Sequence, residues 1–460
     1  MVVLDATIVN IALPSAQKAL AFSDANRQWI VTAYSLAFGS LLPLGGRLAD
    51  LFGRKLVFLT GAVGFAAASA LAGAAGNFAV LVTGRALQGG FGALLAPAAL
   101  ALLTVTFTDA AERAKAFGIY GAIAGTGGGI GLLLGGLLTE HLSWRWTLYV
   151  NLIFAVVVIA AGLPLLAGGR PEHKPRLDLP GTLLISGGLF AMVFGFSNAE
   201  RYDWGSPMTW GFLIASVVLI GAFAWWQTRT EHPLLPLRIV LDRNRGASFV
   251  AIAMSGAGMF GVFLFLTYFL QASLHYSPVQ TGLAFLPMIG ALMVAAQVTA
   301  TRFLPRFGPK LVVSVGMAIS AVGLAWLTGL DLSSTYLANI LPPLVVIGIG
   351  IGLAMPAAMN VGVTGIAEED AGAASAALNT MQQVGGSIGT ALLNTLAASA
   401  ATAYLSGRQP TPAVLAQAQL HSYSTAYWWS AGIFVAGLVI TLLLYRPGRV
   451  QGGGGQAVHM

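Results

Sequence analysis

The sequence predicts an all-α polytopic membrane protein, and three observations carry that prediction. Hydrophobic residues make up 57% of the 460-residue chain and charged residues only 8%, where a soluble surface needs roughly 25% charged residues. The apolar residues gather into fourteen runs, each near the ~20 residues that cross a hydrocarbon core as a helix. Lys and Arg concentrate in every second segment between those runs, as they do in polytopic membrane proteins.

In chain order the runs lie at about 1–20, 28–46, 56–76, 79–104, 115–139, 147–167, 180–199, 209–227, 246–271, 279–300, 310–329, 337–361, 371–397 and 426–445. Their lengths suit helices, since barrel strands would be half as long with period-two alternation. The first run holds only 13 residues before Pro14, about 20 Å of helix, so the native chain is expected to begin further upstream. Fourteen spans place both termini on one side. Seventeen Lys and Arg lie on that side, five lie on the other, and only Arg85 lies within a span. The positive-inside rule makes the richer side cytoplasmic. The expected location is therefore the inner (plasma) membrane, with both termini cytoplasmic.

Composition also excludes function classes. The pI near 9.8 does not signal nucleic-acid binding, because the basic residues are scattered in short groups rather than gathered on one face. The chain has no cysteine, hence no disulfide framework and no thiolate metal site. No metal and no cofactor is expected. The run Gly385-Gly386-Ser387-Ile388-Gly389 copies a hydrolase nucleophile elbow, but no strand precedes it. No Gly-Lys pair exists to cradle a nucleotide phosphate, so an ion gradient must supply the energy for any transport.

The second and third runs are joined by RLADLFGRKLVFLTG at 47–61, and a similar segment, RFLPRFGPKLVVSVG, recurs at 302–316. At this constant offset Arg47/Arg302, Gly53/Gly308, Lys55/Lys310 and Gly61/Gly316 are identical, while Asp50 is matched by Pro305. Duplicated halves are a signature of alternating-access transporters. The expected domains are an N-terminal six-helix half at 1–167, a two-helix insert with its linkers at 168–245, a C-terminal six-helix half at 246–446, and a tail at 447–460.

Leu4-Asp5-Ala6-Thr7-Ile8-Val9-Asn10-Ile11-Ala12-Leu13-Pro14 resembles the first-helix signature of the fourteen-helix drug:proton antiporters of the major facilitator superfamily. Gly46–Lys55 is similar to that superfamily's loop between helices two and three, with Leu51 where the family has Arg. Gly84-Arg85-Ala86-Leu87-Gln88-Gly89-Gly90 resembles the fourth-helix motif. Gly131-Leu132-Leu133-Leu134-Gly135-Gly136 resembles the fifth-helix antiporter motif, with Leu132 in place of Pro, and Ser143-Trp144-Arg145-Trp146 follows it. The likeness continues into Asn379-Thr380-Met381-Gln382-Gln383. It implies a major facilitator fold of fourteen helices, two six-helix halves around a two-helix insert, and a multidrug efflux function.

The residues support a compatible chemistry on their own. Asp5 is the single acid, and Arg85 the single base, in the apolar part of a span. A lone charge at a bilayer centre costs from about 3 to above 10 kcal/mol, so both are functional candidates. Burial generally raises a carboxyl pKa and a nearby cation lowers it. An acid whose arginine comes and goes is therefore a proton carrier; the competing reading is a static pair that fixes helices one and four together. The polar residues Thr7, Asn10, Gln88, Asn360, Asn379, Gln382 and Gln383 must face other helices or a wet cavity. Trp29 and Tyr34 either line the substrate route or anchor at the membrane interface.

For gating, the resemblance implies that Asp50 with Arg54, and Arg113 beside Glu112, latch the cytoplasmic mouth; the alternative is a solvated loop obeying the positive-inside rule. Gly121, Gly125 and Gly129, and Gly127, Gly131 and Gly135, form small-residue ridges spaced by four that let helices approach closely, and Gly131, Gly135 and Gly136 are the gating candidates there. The expected partners are an amphipathic small molecule, protons and membrane lipid, for a monomeric transporter. A lipid transporter on the same fold is the first alternative. A membrane-embedded enzyme would need a convergent acid/base or metal cluster, which the six scattered histidines do not supply. A channel would need a repeated filter ring.

Overall fold

The computed structural model describes the backbone of residues 1–22, 24–166, 178–202, 204–231, 233–367 and 370–448. These residues form fifteen α-helices. The first eight are α1 (Val2–Leu20), α2 (Asp24–Phe52), α3 (Arg54–Gly73), α4 (Phe78–Thr106), α5 (Ala110–His141), α6 (Trp146–Leu165), α7 (Leu179–Tyr202) and α8 (Pro207–Gln227). A five-residue helix, α9 (Leu237–Leu241), leads into α10 (Arg243–Tyr268). The rest are α11 (Pro278–Val298), α12 (Leu304–Leu327), α13 (Leu341–Val363), α14 (Ala371–Leu405) and α15 (Pro412–Leu444). Eleven stretches among the described residues are long and apolar enough to cross a membrane, and one of them, Val279–Leu327, contains both α11 and α12. Residues 168–177 and most of the 447–460 tail lie outside the described residues.

Two boundaries differ from the sequence expectation for local reasons. The second run extends as helix through 47–52, so the join to α3 is Gly53 alone. Gly53 takes φ 94°, and Gly308, its counterpart in the repeat, takes φ 74°, a region that only glycine enters without strain. The repeat thus recurs as backbone geometry as well as letters. The last helix starts at Pro412 rather than near 426. Thr411 accepts the Val414 amide with its side chain and Pro412 occupies the first helical position, a strong start signal ahead of polar residues that hydropathy alone reads as loop.

The two six-helix blocks pack by one scheme. Helix α1 lies along α5, α2 and α3 flank α4, and α3 touches α6; likewise α10 lies along α14, α11 and α12 flank α13, and α12 touches α15. The blocks meet through α2 on α14 and α5 on α11, while the α7–α8 hairpin rests on α2 and α14. Large apolar side chains point outward around this bundle, including Leu183, Val217 and Leu337 at 72–73% exposure. Such a surface is stable only against lipid.

Candidate functional site

Asp5 sits in the first turns of α1, fully buried. Helix α4 carries Arg85 and Gln88 three residues apart, hence on one face. Arg85 Nη1 lies 2.5 Å from Asp5 Oδ2 and also donates to Gln88 Oε1 at 2.9 Å. Its Nε donates to the Ile30 carbonyl of α2 at 3.3 Å, and its guanidinium stands 4.4 Å from the centroid of the Tyr34 ring. Gln88 Nε2 donates to Asp5 Oδ1 at 3.1 Å and to Ser69 Oγ of α3 at 2.6 Å. Asn151 Nδ2, from α6, donates to Asp5 Oδ1 at 2.6 Å. Five helices therefore converge on one carboxylate. The pair is desolvated on both sides, with Arg85 1% exposed, and the extra donors are what make such a buried pair tenable. Two buried atoms here have no hydrogen-bond partner, Tyr34 Oη and Asn151 Oδ1.

Of the residues singled out from sequence, Asp5, Arg85, Gln88 and Tyr34 come together. Thr7 does not join them. It faces α5, where a Cβ on Gly131 would strike its hydroxyl, and that hydroxyl donates to the Leu4 carbonyl at 3.0 Å. Trp29 packs on Phe194 of α7, centroids 6.1 Å apart; five residues before Tyr34, it points about 140° away around the helix. Asn10 lies outside the residues whose side chains are described. Asn360 is buried in α13, accepting from the Thr364 hydroxyl at 3.3 Å. Asn379 donates to the Ser375 carbonyl one turn back. Gln382 and Gln383 are half-buried on α14, with Gln383 opposite Gly39 of α2.

Two members of the cluster escaped the sequence reading. Asn151 is an amide inside an apolar run, the same signal that singled out Asn360. Ser69 carries no such signal, because its hydroxyl also returns to the Phe65 carbonyl, as serines in any helix do.

At the basic face, Asp50 is not a loop residue. It lies in the last turn of α2, 5% exposed, and its Oδ1 accepts the amide of Gly372 in the first turn of α14 at 3.2 Å. Arg54 Nη2 stands 3.7 Å from the same oxygen. Burial is not confined to Asp5, since Asp50, Asp178 and Asp370, which lie at or beside helix ends, are buried as well. Asp178 caps α7 through Gly181 N and accepts from Trp226 and Gln227 of α8, while Asp370 pairs with Arg238 at 2.7 Å. Arg113 is half-buried on α5 and Glu112 is exposed, because neighbours on a helix diverge by about 100°. Arg306 is exposed and covers Phe307, 5.4 Å from its centroid.

The α5 ridge packs as expected. Gly127, Gly131 and Gly135 face Val3, Thr7 and Ile8 of α1, and Gly136 is buried. Between α2, the hairpin and α14 lies a cavity of about 130 Å³, lined by Pro43, Leu189, Phe223, Phe249, Thr380 and Met381 among others.

The chain is similar to known proteins in sequence and in fold. The Major Facilitator Superfamily profile matches residues 1–390. The puromycin resistance protein pur8 of Streptomyces alboniger is 47% identical over 96% of this chain and 88% of its own. The cephamycin export protein CmcT of Amycolatopsis lactamdurans is 37% identical over 96% and 90%. The tetracenomycin C resistance and export protein of Streptomyces glaucescens is 37% identical over 87% and 74%. Among solved structures, the human organic anion transporter MFSD10 (TETRAN) covers 95% of this chain and 96% of its own with TM-score 0.61 at 14% identity, a likeness of fold. The chain belongs to the Major Facilitator Superfamily, a family of membrane transporters.

Proposed function

We propose that this protein exports amphipathic small molecules, antibiotics among them, against proton entry by alternating access. One observation carries the reading: a carboxylate and a guanidinium, both fully buried, meet at 2.5 Å where five helices converge. A protein that needed only rigidity could use apolar packing there at no loss of stability. Proton occupancy of Asp5 cancels the attraction to Arg85 and so changes what holds α1 to α4. The cargo class rests on the resistance and export proteins to which the chain is similar.

In this reading fourteen helices span the membrane as two six-helix halves around the α7–α8 hairpin. The repeated packing scheme and the paired positive-φ glycines support it. The basic face is cytoplasmic, both termini lie there, and the molecule works as a monomer in the plasma membrane. Asp50 and Arg54 latch the cytoplasmic mouth against the first turn of α14, with Arg113 beside it on α5. Gln382 and Gln383 belong to the route between α2 and α14.

Dye or antibiotic accumulation in everted vesicles tests the function. An imposed proton gradient drives uptake, and an uncoupler collapses it. Asp5→Asn abolishes gradient-driven uptake and leaves equilibrium binding of a neutral substrate largely intact. Unchanged uptake in that variant removes the proton-carrier role.

A further inference from the structure

We infer that Asn151 is the positioning residue that supplies Asp5 with a hydrogen-bond partner in both protonation states, an inference that rests on Asp5 being the proton carrier. The partners of Asp5 seen here suit an anion: Arg85 Nη1, Gln88 Nε2 and Asn151 Nδ2 all donate to it. Protonation adds one proton to a carboxyl oxygen and removes one negative charge. The group then becomes a donor that needs an acceptor.

The neighbouring acceptors are already engaged. Gln88 Oε1 accepts from Arg85 Nη1, Ser69 Oγ from Gln88, and the Ile30 carbonyl from Arg85 Nε. Among the described residues, Asn151 Oδ1 and Tyr34 Oη are the atoms buried there without a partner. Tyr34 is held through its ring, with the Arg85 guanidinium at 4.4 Å and Phe38 stacked at 5.6 Å. Asn151 has to move only its last torsion, which is broad and two-fold for an amide. Half a turn exchanges Nδ2 for Oδ1 at the same position. One side chain thereby donates to the carboxylate and accepts from the carboxylic acid.

Among the described residues, the charged and titratable groups around Asp5 are Arg85 from α4, Tyr34 from α2 and the Met1 amino group on α1 itself. Helices α3 and α6 contribute only Ser69 and Asn151, which do not titrate. Helix α5 presents Gly127 and Gly131 to this part of α1. Arg85 is therefore attracted to Asp5 in one protonation state, whereas Asn151 ties α6 to α1 in both.

Infrared difference spectroscopy on the reconstituted full chain, with isotope-labelled asparagine amides, tests the inference during a pH change. The wild type is expected to show a protonated-carboxyl band that is absent in Asp5→Asn, with an asparagine amide change that follows the same titration. Asn151→Leu, of similar volume but without polar atoms, is expected to move that band to the position of a carboxyl lacking an acceptor. It should slow gradient-driven transport roughly ten- to hundred-fold, the usual consequence of one unsatisfied buried group. Asn151→Gln, which keeps the amide, should restore part of both signals. A carboxyl band at the same position and with the same midpoint in Asn151→Leu overturns the inference. So does a wild-type amide signal indifferent to pH, a measurement that needs no folded variant. A wild type without any Asp5-dependent carboxyl band overturns instead the proton-carrier reading beneath it.

Discussion

Adding one methyl group at Gly46 is expected to open the basic mouth of the protein. A Cβ there would lie 2.5 Å from the Gly372 carbonyl and 2.6 Å from Ala376 Cβ, where ordinary contact begins at 3.4 Å. Helices α2 and α14 must therefore part by about 0.9 Å to reach van der Waals separation. Overpacking of this kind costs about 1–3 kcal/mol. Separating the helices relieves it, so the cost falls on the closed arrangement and shifts the closed-to-open ratio roughly 5- to 150-fold. The same movement stretches the 3.2 Å bond from the Gly372 amide to Asp50 to about 4 Å, past hydrogen-bonding range. Asp50→Asn alone removes the charge from a 5% exposed acceptor, worth up to about 1.5 kcal/mol. Combined with Gly46→Ala it should add less than it does singly, because both act on one contact. The chain has no cysteine, so spin labels at exposed Phe52 and Ala367 report the distance without background. Two results refute the reasoning: an unchanged distance distribution with unchanged transport, or a lower melting temperature at unchanged distance, which marks a static contact.

Arg85→Ala strips Asp5 of its cation and should lower stability by roughly 3–5 kcal/mol. Adding Asp5→Asn to that variant should recover part of the loss, and additive melting temperatures would show that the two residues do not act as a pair. Arg85→Lys should recover only part of the transport rate, because one ammonium cannot reproduce the separate Nη1 and Nε bonds to Asp5, Gln88 and Ile30. Asp109→Ala, which removes the acceptor for the Glu112 amide, should cost about 1 kcal/mol at the start of α5. It should leave the Phe52–Ala367 distance unchanged, and a shift as large as that of Asp50→Asn would contradict a purely local cap.

Much of this was legible in the letters, for identifiable reasons. Apolar runs bounded by basic segments located the helices because a bilayer penalises every exposed polar backbone group. The isolation of Asp5 and Arg85 marked the pair because desolvated charge is too costly to keep without a partner. What periodicity could not supply was direction. Trp29 and Tyr34 share a helix and a residue class, yet one stacks on the hairpin and the other covers the guanidinium. Asp50 read as a loop residue because RLADLFGRK is polar and punctuated by glycine; its burial comes from α14, more than 300 positions away, and no local pattern encodes that approach. Asp178 falls just before the seventh apolar run, and only the folded hairpin brings Trp226 and Gln227 to it.

The repeat and the charges together explain why the two halves are not interchangeable at the basic face. Gly53 and Gly308 bend the chain alike, but the helix end before the first bend carries Asp50 and that before the second carries Pro305. The helix starts that face these ends differ in a complementary way. At α5, the Asp109 side chain accepts the Glu112 amide, a cap supplied from the same helix start. At α14, Asp370 precedes the helix without a side-chain cap and its carboxylate is turned to Arg238. The Gly372 amide is taken by Asp50 from the other half instead. A helix capped in cis loses nothing when the halves separate, whereas one capped in trans exposes an amide each time. On the proposed latch, the α2–α14 seam is the one expected to resist opening, while α5 sets Gly118 beside Ala296 of α11 and Ala300 just beyond that helix. Among the described residues a hydrogen bond from the Gly372 amide to Asp50 crosses the first seam, and opening there must break it.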